Sequence, residues 1–190
     1  MAKGNSYDSI LMAAEKVVLR DGAAHLTLDS VARSAKVSKG GVLYHFPSKE
    51  SLLKGMVTRH IERFENTRQQ FLKNLPPGPA RELKASLLTR EKICGKNKRL
   101  NASLWAALAH DPKAALIIKS VYQKGFQRVI AGGLPPEQVA VITSAIIGLR
   151  LMEALDISPF DASCREAMVK ELHRLTDEAE KKTLQKRGKA

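Results

Sequence analysis

Two short amphipathic segments separated by about three residues place the tightest constraint on how this chain folds. The first segment covers residues 28–35, the second covers residues 38–46, and Lys36-Val37-Ser38 joins them. Two short helices with so short a connection have helix-turn-helix geometry. In that geometry the second helix is free to enter the major groove of DNA.

The residue types around this connection fit the same geometry. Thr27 is suited to cap the first helix, Ser38 is suited to cap the second, and Ala32 is small enough for the two helices to approach closely. A small core is predicted from Val31, Ala35, Val37, Val42 and Phe46. The exposed face of the second helix is predicted to carry Lys39, Gly40, Gly41 and Tyr44.

The remainder of the chain also has helical periodicity. Apolar residues recur three and four positions apart in nearly every long segment, and no segment alternates as a strand would. A first helix is expected to end at Gly22, and Ser48 is expected to cap a long helix over about 49–73. Proline and glycine breaks predict further helices at about 80–94, 98–110, 113–131, 136–156 and 161–186.

These observations predict an all-α fold with two domains. An N-terminal three-helix helix-turn-helix domain is expected over residues 1–48. The long helix is expected to join it to a C-terminal helical bundle over residues 49–190.

The net charge of +13 suggests a polyanionic partner. The excess lies in the first hundred residues and in the last ten. Charge alone does not distinguish nucleic acid from an anionic membrane surface or from a need for solubility. The basic tail over 181–189 is expected to be a frayed, solvated end, and non-specific attraction to DNA is the alternative.

Residues 7–56 resemble the DNA-binding domain of TetR-type transcriptional regulators. The segment Val37-Ser-Lys-Gly-Gly-Val-Leu-Tyr-His-Phe-Pro-Ser-Lys-Glu50 carries most of the resemblance, together with Ala14, Gly22 and Leu52. The resemblance implies a sequence-specific transcriptional regulator, a homodimeric repressor that a small-molecule effector releases from a double-stranded DNA operator. It also implies that the C-terminal helical bundle over residues 49–190 serves for ligand binding and dimerisation. The alternative is an effector-independent DNA-binding or architectural protein of the same fold. DNA contacts are expected from Thr27, Lys39, Gly40, Gly41, Tyr44, His45 and Lys49.

The chain departs from the family pattern at two positions. Lys36 stands where the turn usually carries glycine, so either this lysine adopts a left-handed conformation, at a cost of about 1 kcal/mol, or the turn differs slightly. Leu43 stands where the family often has tyrosine. The phosphate contact of that tyrosine is therefore lost or taken over by Tyr44.

The second half of the chain carries no comparable motif, and its function is predicted from apolar patterning. An effector site is expected between residues 100 and 153, with an acidic ligand group near Arg150. Its apolar wall is expected to include Trp105, Leu108, Tyr122, Phe126 and Met152. The aromatic residues are equally compatible with an ordinary core, and Arg150 with a surface ion pair to Glu153, three residues on.

Apolar stripes over 136–156 and 161–176 predict a dimer interface of two helices from each subunit. The contacts are expected from Ile142, Ala145, Ile146, Leu149, Met168 and Leu172. The alternative is that these stripes face only the core of their own subunit.

Other classes of protein are disfavoured by what the sequence lacks. It shows no catalytic set, phosphate-binding loop or metal-ligand cluster, so no enzyme activity, metal or cofactor is expected. Cys94 and Cys164 have neither zinc-ligand spacing nor a disulfide framework. The longest apolar run, 138–149, is too short to span a membrane, and the N-terminus lacks a signal-peptide pattern. A cytoplasmic location without membrane association is expected.

Overall fold

The computed structural model describes residues 3–22, 25–94, 100–102 and 112–188, and no strand occurs among them. The helices in chain order are α1 (Lys3–Asp21), α2 (Leu28–Ala35), α3 (Lys39–His45), α4 (Lys49–Asn74), α5 (Arg81–Cys94), α6 (Pro112–Ala131), α7 (Pro136–Ala154) and α8 (Ala162–Arg187). The prediction of an all-α fold is confirmed. The helix predicted over 98–110 lies largely outside the described residues.

The chain divides into two compact units. Residues 1–62 and 97–117 belong to the first unit, and residues 63–96 and 118–190 belong to the second. Helix α4 contributes residues to both. None of the described helices is long and apolar enough to cross a membrane.

The short helices of the first unit begin at side-chain caps. Thr27 and Ser30 form a capping box at α2, in which each hydroxyl oxygen accepts from the other residue's N–H at 3.0 Å. Ser38 Oγ accepts from the N–H three residues on, at the start of α3. Ser48 and Ser51 form another reciprocal pair at α4. These caps supply acceptors for N–H groups that have no intrahelical partner, which fixes where the helices begin.

The turn between α2 and α3 contains a left-handed lysine. Lys36 has φ 56° and ψ 42°, which confirms the conformation expected when lysine replaces the usual glycine. The Val37 N–H donates to the Ala32 carbonyl oxygen at 3.1 Å across this turn. The left-handed conformation costs an L-residue roughly 1–2 kcal/mol, so packing around the turn must offset it.

Burial of one face holds α3 in place. With seven residues, α3 is too short to be stable alone. Val42 is fully buried and Phe46 is 2% exposed, while Tyr7 of α1 packs on Phe46 with ring centroids 4.8 Å apart. Gly55 of α4 lies so close that a Cβ there would be 2.7 Å from Phe46 Cε1. Contacts from α1 and α4 therefore fix the position of α3.

The core of the second unit collects apolar side chains from α5, α6, α7 and α8. Helix α5 packs against α7 and α8, which also pack against each other. The buried core includes Leu83, Leu87, Val129, Leu134, Val139, Ile142, Ile146, Leu149, Leu172 and Ala179.

A buried arginine joins α4 to α5 within the second unit. Arg68 is 2% exposed, and its guanidinium binds Glu65 on α4, with Nε 3.0 Å from Oε2, and Glu82 on α5. Arg81 donates back to the carbonyl oxygens of Leu72 and Leu75 at the end of α4. The hydrogen bonds from Arg68 lower the pKa of Glu65 to about 2.

The basic end of α8 is ordered helix, so the expectation of a frayed end is wrong for residues 181–187. Arg187 Nη2 donates to the Gly132 carbonyl oxygen at 3.0 Å. Further up the helix, Lys84 Nζ lies 2.8 Å from Asp177 and 2.6 Å from Glu180. These contacts tie the last turns of α8 to the rest of the second unit.

We predict that Gly55→Ala lowers the free energy of unfolding by about 1–3 kcal/mol through overpacking. The new Cβ would lie 2.7 Å from Phe46 Cε1 and 3.1 Å from Leu11 Cδ2. The matched control is Gly125→Ala on α6, where the nearest atom is Arg128 Nη2 at 3.9 Å. The control should be neutral or stabilising by up to about 1 kcal/mol, because alanine favours helix. Urea unfolding measures both, and equal effects would contradict the packing described.

We predict that Glu65→Gln lowers the free energy of unfolding by about 1–2 kcal/mol at pH 7, after discounting for solvent screening of a partly exposed carboxylate. The folded-state pKa is depressed from 4.5 to about 2. This stabilisation is therefore complete above pH 4.5 and is lost as the pH falls toward 2. Urea unfolding at several pH values should show the difference from wild type shrinking over that window.

The control for Glu65→Gln is Glu166→Gln, because Glu166 is an exposed residue of α8 that pairs only with Lys170 among the described residues. It should leave the free energy of unfolding unchanged within experimental error at pH 7, because solvent screens so exposed an ion pair. A loss for Glu65→Gln that is the same at every pH would show that ionisation of Glu65 is not its cause.

Candidate nucleic-acid interface

Helix α3 has one buried face and one face open to a partner. The Tyr44 side chain is 67% exposed and Leu43 is 39% exposed, although both neighbour the fully buried Val42. Lys39 and Gly40 are also exposed, at the start of the helix. The predicted contact residues on this helix thus lie together on its outer side, with Gly41 half-buried at their edge.

The two glycines of α3 leave its first turn without side-chain bulk. A Cβ added at Gly40 would meet only Ser38 Oγ, at 3.8 Å, and one at Gly41 would meet the same atom at 3.4 Å. Neither glycine is therefore required by the packing of the protein. Their effect is to leave the backbone of this turn without side-chain cover, so that a partner can approach it closely, although the Gly41 N–H itself donates to Ser38 Oγ.

An ion pair links the exposed start of α3 to α2. Lys39 Nζ lies 3.0 Å from Asp29 Oδ2, and both side chains are 57% exposed. Asp29 also sits in the first turn of α2, where the helix dipole favours a negative charge. An ion pair this exposed contributes about 1 kcal/mol or less to stability. The Lys39 ammonium can therefore leave Asp29 and bind a phosphate instead.

His45 packs inward as well as toward the surface. Its ring lies edge-on to Tyr7 of α1, with centroids 6.1 Å apart, and edge-on to Tyr44 at 5.0 Å. The sequence analysis did not identify Tyr7 as a functional residue, although Tyr7 is the first residue of the segment 7–56 that resembles the family's DNA-binding domain. Tyr7 therefore positions the end of α3 through both His45 and Phe46.

The remaining predicted contacts mark the starts of α2 and α4. Thr27 lines an open groove of about 820 Å³, whose other lining residues are Arg20, Asp21, His25, Ser30, Arg33 and Ser34. Lys49 is exposed at the first position of α4. Sequence reasoning missed the basic residues of the groove, of which Arg20 is held by Asp21 through two hydrogen bonds of 2.7 Å.

The predicted effector residues are only partly described. Trp105 and Leu108 lie outside the described residues, while Tyr122, Phe126 and Met152 are half-buried in the second unit. Phe126 packs against the core of that unit. The Phe126 ring is therefore part of the core packing, which is the alternative to a role in a pocket wall. Because the side chain is only half-buried, part of the ring is still accessible to a ligand.

Arg150 has a carboxylate partner within the protein. Its Nη1 donates to Glu153 Oε2 at 2.7 Å, and Arg165 Nε lies 3.3 Å from the same carboxylate. The side chains of Arg150 and Glu153 are 15% and 14% exposed, so the pair is largely buried rather than on the surface. Arg150 Nε is buried without a hydrogen-bond partner among the described atoms.

Most of the predicted dimer contacts are covered by their own subunit. Ile142, Ile146, Leu149 and Leu172 are between 1% and 7% exposed within the core of the second unit, and Ala145 and Met168 pack against that core. The apolar stripe on α7 therefore folds inward, as the alternative reading had it. The outer face of α7 carries Val141, which is 65% exposed, with Leu155 at 44% beyond its end.

Two family models match the chain. Residues 10–56 match bacterial regulatory proteins of the tetR family, and residues 81–177 match the tetracyclin repressor-like C-terminal domain. The first covers the helix-turn-helix, and the second covers just over half of the chain. No curated protein sequence matches the chain.

Solved structures share this fold at low sequence identity. A proposed transcriptional regulator from Pseudomonas aeruginosa PAO1 is 14% identical, with a TM-score of 0.75 over 95% of this chain and 92% of its own. The multidrug binding protein EbrR complexed with ethidium is 22% identical, with a TM-score of 0.67 over 92% of this chain and 99% of its own. A proposed transcriptional regulator from Saccharomonospora viridis in complex with choline is 17% identical, with a TM-score of 0.72 over 92% of this chain and 97% of its own.

Proposed function

The chain belongs to the TetR family of transcriptional regulators, and from this premise we propose that it is a homodimeric repressor whose operator affinity is lowered by a small-molecule effector. Residues 1–48 are the DNA-binding domain in this proposal, and residues 49–190 bind the effector and form the dimer. The observation that carries the proposal is the outer face of α3, where Tyr44 is 67% exposed beside a fully buried Val42.

The DNA contacts divide into those that read bases and those that hold the backbone. Tyr44, Lys39 and the two glycines of α3 lie on the element that enters a major groove, so they are assigned to the base edges and the adjacent phosphates. Thr27 and Lys49 lie at the starts of helices, where N–H groups and the helix dipole favour phosphate. The latter contacts set the position of the domain rather than its sequence preference.

The effector is assigned to the second unit. Tyr122, Phe126 and Met152 remain the proposed wall, with Arg150 as a further proposed member. The complexes of EbrR with ethidium and of the Saccharomonospora viridis protein with choline support small-molecule binding by proteins of this fold. An effector lowers operator affinity only if it binds one arrangement of the dimer more tightly than the other.

The dimer is assigned to the outer faces of α7 and α8 rather than to their buried stripes. On α7 these exposed or half-buried positions include Val141, Ser144 and Gly148, and a Cβ at Gly148 would meet nothing within 4 Å. Small side chains allow two helices to cross closely. A two-fold dimer would present two α3 helices to successive major grooves, about 34–36 Å apart.

We predict that selection from random DNA duplexes enriches a dyad-symmetric site. On that site Lys49→Ala should weaken binding and lower the salt slope by about 1, because it removes one phosphate contact. Asp29→Asn should strengthen binding about two- to fivefold, because it removes a negative charge from the DNA-facing surface and frees Lys39. Glu166→Gln, the same change of charge on α8, is the matched control. Failure to enrich any dyad would contradict the proposed function.

We predict that Val141→Glu produces monomers in analytical ultracentrifugation, because a carboxylate would be buried in an apolar contact. The control is Leu116→Glu on α6, since Leu116 is 64% exposed and Val141 is 65% exposed. Ile146 is unsuitable for this test, because it is 1% exposed and a charge there would destabilise the subunit itself. A Val141→Glu protein that sediments as a dimer would place the interface elsewhere.

A further inference from the structure

Arg90 of α5 lies between two aromatic rings of the second unit. Its guanidinium carbon is 5.1 Å from the centroid of Phe64 on α4 and 5.5 Å from the centroid of Tyr122 on α6. Both distances are within the roughly 6 Å range of cation–π attraction. Three helices therefore fix the position of one positive charge.

The rings do not satisfy the hydrogen-bonding capacity of Arg90. A guanidinium has five N–H donors, and an aromatic face offers none of them a carboxylate or carbonyl oxygen. Among the described residues, no carboxylate or other oxygen lies within hydrogen-bonding distance of the Arg90 guanidinium. Arg90 thus differs from Arg68, Arg81 and Arg150, each of which donates to oxygen atoms of the protein.

The nearby carboxylates are engaged by other cations. Glu65 and Glu82 both bind Arg68. Glu91, the residue after Arg90, lies 2.5 Å from His173 Nε2 on α8. The segment 61–100 carries ten basic and four acidic residues, a balance that favours an anionic partner.

We propose that Arg90, held between Phe64 and Tyr122, is the anion-binding residue of the effector site, and that the effector is an organic carboxylate with an apolar body. The guanidinium matches a carboxylate through two parallel hydrogen bonds, and the half-buried rings of Phe64 and Tyr122 supply apolar surface beside it. This inference rests on the proposed effector function and deepens it, because it assigns a ligand class and a different arginine.

The same geometry disfavours two other assignments. Arg150 already donates to Glu153, so an acidic ligand there would have to displace a largely buried carboxylate. A cationic ligand, such as those held by EbrR and the Saccharomonospora viridis protein, would have to displace Arg90 from the rings. Either displacement loses contacts that a carboxylate ligand at Arg90 keeps.

The test uses the full-length protein and two matched series of ligands at pH 7.5. One series is octanoate, octanol and octylamine, and the other is 3-phenylpropionate, 3-phenylpropanol and 3-phenylpropylamine. Within each series the apolar body is constant and only the head-group charge changes. Isothermal titration calorimetry measures the affinity of each compound for wild type and for Arg90→Met, Arg90→Lys, Arg150→Met and Lys124→Met.

In at least one series, the carboxylate should bind wild type at least about tenfold more tightly than the alcohol. Arg90→Met should reduce this preference to within about threefold, and Arg90→Lys should keep only part of it, because lysine lacks the planar pair of donors. Lys124→Met, a loss of charge from the exposed side of α6, is the control and should keep the full preference. Circular dichroism and thermal unfolding check that each variant is folded.

Four outcomes would overturn the proposal. The first is tighter binding of the amine than of the carboxylate, and the second is a carboxylate preference that survives Arg90→Met. The third is loss of that preference in Arg150→Met but not in Arg90→Met. The fourth is no binding of any compound at 5 mM, a concentration chosen to detect binding free energies down to about −3 kcal/mol. Operator binding by ligand-free wild type is measured separately. If the ligand-free wild type binds no operator, the proposed function is contradicted, whereas the assignment of Arg90 is not affected.

Discussion

Burial of Val42 and Phe46 beneath a seven-residue helix is the interaction on which the DNA-binding unit depends. A helix of that length has no stability of its own, so its orientation comes entirely from what covers its inner face. Tyr7 provides that cover from α1, and the absence of a side chain at Gly55 allows α4 to come close. Because the inner face is fixed in this way, the outer face can consist of glycine, lysine and an exposed tyrosine without loss of the fold.

Ion pairs of the described residues differ in how firmly their charges are held. On the outer side of α3, the surface proposed to face DNA, the pair of Lys39 with Asp29 is exposed and weakly held, so Lys39 can exchange its protein partner for a phosphate. In the second unit Arg68 is buried with carboxylates from two helices, which makes it a structural element. Arg90 combines features of both. It is fixed in position like a structural residue, but its fixing groups are aromatic rings, so among the described residues its N–H donors have no oxygen acceptor.

The features that sequence could predict are local. Thr27, Ser38 and Ser48 cap helices through contacts within three residues, so each cap is visible in the sequence. The left-handed conformation of Lys36 is suggested only by the glycine that the resembling family usually carries there, and the sequence also leaves a different turn open. What covers the apolar face of a helix, in contrast, depends on tertiary or quaternary packing and not on the local sequence. Periodicity placed Ile142 and Ile146 on one face of α7, but both a neighbouring helix and a second subunit can cover such a face. The stack of Arg90 between residues 26 positions before it and 32 positions after it depends on tertiary packing alone, and no local pattern marks it.

The most direct test of the account is photocrosslinking from the outer face of α3. A benzophenone amino acid replaces Tyr44 in the full-length protein, and crosslinks to a selected DNA duplex are mapped at base resolution. The account predicts two crosslinked positions related by the dyad, in successive major grooves about 10 base pairs apart. Crosslinks at a single position, or none while the protein is bound, would show that α3 is not the reading element of a two-fold dimer.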